Sequence, residues 1–78
     1  MEKFKIMIAS DEEHEKVVAE IFIDGKFAAL VNQDEGPEKL QIEFPGSSLQ
    51  EDMLVRKVDF NDFTKSLEMA RKKLLGEG

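Results

Sequence analysis

A chain of 78 residues, 41% of them hydrophobic, supports one packed core and not two, so every functional surface must sit on a single domain spanning residues 1–78. Five lysines stand against thirteen acids before Met53, a balance of −8, and the remainder carries +2; nucleic-acid binding needs a concentrated basic surface, for which a short stretch near the C-terminus is the only candidate, so it is not expected of a chain of net charge −6. With no cysteine and one histidine, disulfides, thiolate metal sites and an assisted thiol nucleophile are excluded too.

The first element is a strand over residues 3–9, where Phe4, Ile6 and Ile8 alternate with Lys3, Lys5 and Met7. That apolar run is too short for a signal peptide or a membrane span, and a cytoplasmic location is expected. Ser10 to Lys16 form a charged connection, either a loop or one helical turn, since Ser10 and Glu13 have capping-box spacing. Val17–Ile23 and Lys26–Gln33 read as a hairpin around Asp24-Gly25, a dipeptide suited to a type I′ turn because both central residues need positive φ. Asp34-Glu35-Gly36-Pro37 signals a second turn, after which Leu40, Ile42 and Phe44 alternate with polar residues up to Pro45-Gly46. Met53–Val58 offers a fifth strand interrupted by Arg56 and Lys57.

Asp59 is a natural N-cap for a terminal helix, with Asp62 in its first turn and Arg71, Lys72 and Lys73 in its last, each complementing the helix dipole. Phe60, Phe63, Leu67, Ala70 and Leu74 make its apolar stripe, and Ser66 is assigned to the exposed side. The predicted fold class is therefore α+β: an antiparallel β-meander of four to five strands with one C-terminal amphipathic helix packed on one face.

A two-residue turn at Asp24-Gly25 opposes Phe22 to Phe27, Glu20 to Ala29 and Val18 to Val31, and a four-residue loop at 34–37 opposes Val31 to Leu40. One face then collects Val18, Phe22, Phe27, Ala29, Val31, Leu40, Ile42 and Phe44, and the helix stripe belongs on it. The opposite face receives Val17, Ala19, Ile21, Ile23, Ala28 and Leu30, which a single helix cannot also cover, so these six residues are the candidate interface. The competing reading is that the 10–16 segment or the 47–52 loop folds over them, or that the register slips by one. Glu20 points inward in this register, where it needs a bulge, a sheet-edge position or a partner such as Lys5 or Arg56.

Catalytic chemistry is sparse. His14 lies among Asp11, Glu13 and Glu15 without a second imidazole, the paired acids Asp34-Glu35 and Glu51-Asp52 are neighbours in sequence and face no cleft, and the glycines sit at turns and termini. No cofactor or metal is expected. The expected function is a non-enzymatic, acidic protein-binding module, self-associating as a homodimer or taking a protein partner, with neither nucleic acid nor membrane as target. The alternative is a small ligand-binding domain or enzyme with a site near Glu20 and Arg56.

The stretch Ala19–Val31, with Glu43-Phe44-Pro45-Gly46 and Arg56-Lys57-Val58-Asp59-Phe60, resembles a family of small uncharacterised bacterial proteins. More loosely, it is similar to compact immunity proteins that neutralise toxins. The resemblance implies a bacterial origin, a sheet-plus-helix fold and an immunity-type inhibitor as one form of binding protein; it assigns no site residue.

Overall fold

A computed structural model describes residues 3–10, 12–44, 54–55 and 57–76. The chain folds as β1 (Phe4–Ala9), β2 (Val18–Ile23), β3 (Lys26–Asn32), β4 (Gln41–Glu43) and α1 (Phe60–Leu74). The strands form an antiparallel sheet in the order β1-β2-β3-β4, with α1 laid across one face, the α+β meander expected from the residue pattern. Of the expected fifth strand, the described residues show a parallel bridge between Leu54 and Phe27, reinforced by Val55 N–H donating to the Phe27 carbonyl at 3.1 Å. Met53 and Arg56 lie outside the described residues.

The β2–β3 turn is built as its sequence demands, with Asp24 at φ 52° and Gly25 at φ 81°. Beside it, Ile23 faces Lys26 and Phe22 faces Phe27, as a two-residue turn dictates. One residue further on, the expected register breaks. A β-bulge inserts Ala28 as an extra residue, so that Ile21 faces Ala29 and Ala19 faces Val31. Because side chains alternate with period two, one inserted residue exchanges the faces of everything beyond it. Odd-numbered residues of β2 therefore join odd-numbered residues of β3, and the helix packs on Ala19, Ile21 and Ile23 rather than on Val18 and Phe22.

The physical reason is Glu20. Without the bulge its carboxylate would lie beneath the helix, whereas with it Ile21 is fully buried there and Glu20 turns to the outer face opposite Leu30. Strand β1 completes the arrangement, since Ile6 faces Ile21 and Phe4 faces Ile23 on the helix side. The core comprises Ile6, Ala19, Ile21, Ile23, Ala28, Val31, Ala70 and Leu74, flanked by Phe4, Leu40, Val55, Val58, Phe63, Leu67 and Met69. Phe22 and Phe27 meet edge to face on the outer side, centroids 5.6 Å apart.

The second turn also differs from expectation. Two successive turns, with Gly36 N–H donating to the Gln33 carbonyl and Lys39 N–H to the Gly36 carbonyl, lengthen the connection, and Val31 faces Ile42 rather than Leu40. A shift of two residues preserves face, so Leu40 and Ile42 remain on the helix side.

In α1 the Asp59 carboxylate accepts from the Asp62 amide at 3.1 Å, and the helix stops at Leu75 with Gly76 at φ 73°. Two positions depart from the expected stripe: Phe60 is 81% exposed, whereas Ser66 is wholly buried. The hydroxyl of Ser66 donates to the Phe63 carbonyl at 2.7 Å, so the smallest polar side chain of the helix sits against the sheet with its hydrogen bond made.

Candidate functional site

The bulge redistributes the six residues expected to form an interface. Ala19, Ile21, Ile23 and Ala28 belong to the core, Leu30 is buried, and only Val17, just before β2, is exposed. The helix side of the sheet takes up those four core residues, while Leu30 is buried on the outer face opposite Glu20.

The outer face is closed at one end by the connection between β1 and β2. His14 places Nδ1 2.5 Å from Asp34 Oδ2 and Nε2 3.0 Å from Glu43 Oε2, which binds residues 12–17 to the β3–β4 hairpin. An ionised carboxylate only accepts, so the ring can donate to both partners at once when it is doubly protonated. Gln33 Nε2 donates to the Val17 carbonyl at 3.0 Å, and Asn32, itself buried, donates to Glu43 at 2.5 Å. His14 thus has a structural place, and among the described residues no cluster of His, Asp and Glu has the arrangement of a metal site.

Glu20 is half-buried on this outer face, facing Met7 on one side and Leu30 on the other, and it forms no ion pair among the described residues. A groove of about 410 Å³ at the helix N-terminus gathers Lys3, Lys26 and Lys57 with Asp24 and Asp59; Glu20 does not line it. Its basic charge is already partly answered, since Lys3 Nζ bonds Asp62 at 2.8 Å. That hydrogen bond and charge hold the Lys3 ammonium above the ordinary lysine value.

What remains open is the rim of the sheet. Strand β1 pairs with β2 alone, and its other edge faces no strand among the described residues. The direction of its backbone groups follows from one bond. Asp24 N–H donates to the Lys3 carbonyl at 3.0 Å, which makes Lys3 and Asp24 a hydrogen-bonded pair. Such pairs alternate along an antiparallel ladder, so Lys5, Met7 and Ala9 also turn their N–H and C=O groups to β2. Phe4, Ile6 and Ile8 turn theirs outward. The edge carries apolar side chains as well, with Met7 42% and Ile8 43% exposed.

Edge strands in soluble domains are usually short, charged or interrupted, because an unpaired ladder is a template for another strand. At the opposite rim β4 follows that rule, with three residues and Glu43 among them. β1 does not: Phe4–Ala9 runs six residues with one charge, Lys5, and neither proline nor bulge. The residue pattern of β1 displays its apolar alternation but cannot reveal that it is an edge, which depends on strand order. Comparison with protein-family models, with curated proteins and with solved structures yields no match. Among the described residues no helix is long and apolar enough to cross a membrane.

Proposed function

We propose that this domain is a non-enzymatic protein-binding module that works by strand addition at the open edge of β1. The observation that carries the reading is that edge: three residues with outward N–H and C=O groups, flanked by the exposed side chains of Met7 and Ile8. Main-chain hydrogen bonds to an added strand supply affinity, and alternate side chains above and below the sheet supply selectivity. An immunity-type inhibitor that docks this edge on a toxin is one concrete form of the proposal. A photo-crosslinking amino acid at position 7, compared with one at the exposed position Glu38, tests it in cells. A covalent protein adduct from position 7 and none from position 38 is the expected result; no adduct from position 7 overturns the reading.

A further inference from the structure

We infer that the strand added to β1 is β1 of a second copy of this chain, running antiparallel with Ile6 on the twofold axis, so that two sheets become one; this rests on the strand-addition reading above. The register follows from the outward groups. Centring the twofold on Ile6 sets Phe4 opposite Ile8 of the second copy and Ile6 opposite its own counterpart. Every outward N–H and C=O of β1 is then used, each facing pair exchanging two bonds. Centring on Lys5 sets two lysines against each other, and a parallel alignment also brings Lys5 beside Lys5.

Charge supports the same register. On the outer face, Lys5 of the second copy falls opposite Met7, and Met7 already faces Glu20 across β1 and β2. Lys5 and Glu20 each lack an ion pair within the described chain, and the twofold places them in one row with only the exposed Met7 between. The antiparallel direction also separates Lys5 from its counterpart, whereas a parallel one aligns like with like. β4 offers no such match, since centring a self-pairing on Ile42 uses only three residues and adds Glu43 to a rim already holding Glu35 and Glu38.

Shape supports it on the helix face. A shallow groove of about 620 Å³ lies between Phe4 and α1, lined by Asn61, Lys65 and Met69 among others. Ile8 of the second copy, set opposite Phe4, projects to that side of the sheet. The contact surface is confined to an edge and one groove, at the small end of the interface scale, so the dimer should be weak and concentration-dependent.

Sedimentation equilibrium of the purified chain from about 1 to 500 µM, a span that brackets affinities expected of small interfaces, tests the inference. A mass rising from monomer to dimer is expected for the native chain, and a monomer throughout for Met7→Lys, which sets like charges opposite each other on both sides of the axis. Ile8→Pro removes an outward N–H without touching the ladder to β2 and should also stay monomeric. Circular dichroism verifies that each variant is folded; Met7→Lys, at an exposed position, carries the test if the proline variant is not. A native chain that is monomeric throughout, or a dimer that survives in every folded variant, overturns the inference. A monomer that still forms the position-7 adduct with another protein overturns the second copy alone, and a monomer without adduct overturns strand addition as well.

Discussion

Ile21 lies directly opposite Ala29, and this one pairing, displaced by a residue from the pairing beside the turn, decides which face of the sheet the helix covers. Truncating Ile21 to alanine removes a wholly buried side chain from beneath α1 and should cost about 2–5 kcal/mol, a large part of the stability of so small a domain. Glu20→Ala, on the outer face, should change stability by no more than about 0.5–1 kcal/mol. Urea unfolding of the two variants at low protein concentration checks the pair. Were Glu20 the residue under the helix, the order of the two effects would reverse.

The closeness of α1 to the sheet depends on the small side chain of Ser66. Ser66→Leu should destabilise by about 1–3 kcal/mol through overpacking. Ser66→Ala should be nearly silent, because the hydroxyl's partner is a carbonyl of its own helix that stays bonded along the helix. Phe60→Gln, at a position 81% exposed, should also be nearly silent in thermal melts.

His14 fastens residues 12–17 through Asp34 and Glu43. A double-mutant cycle of His14→Gln with Asp34→Asn should show a coupling energy of about 0.5–3 kcal/mol, as contacting residues in one network do. Amide exchange in residues 12–17 should quicken in either single variant. Additive effects of the two substitutions, with exchange in residues 12–17 unchanged in His14→Gln, would remove His14 from its fastening role.

The Lys3–Asp62 bridge ties the start of β1 to the first turn of α1. Because Lys3 is held above its ordinary value of 10.5, its contribution is fully present below that value and is lost as pH rises through the higher folded-state value. The stability difference between the native chain and Asp62→Asn should therefore be steady from neutral pH up to 10.5 and narrow on the alkaline side of it. Denaturant titrations across that range read the effect directly, and its size should be small, as for exposed ion pairs generally.

Much of this domain was legible from residues alone. The first three strands, the Asp24-Gly25 turn, the Asp59 cap and the basic end of α1 rest on local chemistry and stand where their local pattern puts them, whereas the fourth strand is confined to Gln41–Glu43. What local pattern could not supply was the bulge at Ala28. An alanine pair carries no mark that one member is extra, and the choice between Glu20 and Ile21 under the helix is made only when β1 and α1 are both in place. The misplaced Glu20 was the warning, since a buried unpaired carboxylate signals a wrong register more often than a special site. The six residues expected to await a partner followed the register, and five of them went inside. Ser66 and Phe60 exchanged roles for a similar reason: helical spacing locates a stripe, but the neighbouring sheet decides which flank needs a small residue.

The open edge of β1 is read most directly by amide hydrogen exchange along that strand as a function of protein concentration. Lys5, Met7 and Ala9, bonded to β2, should be protected at every concentration, whereas Phe4, Ile6 and Ile8 should exchange freely when dilute and gain protection as the chain is concentrated. Protection of Phe4, Ile6 and Ile8 that is already complete in dilute solution, or that never appears on concentration, would contradict a free edge that takes a second copy.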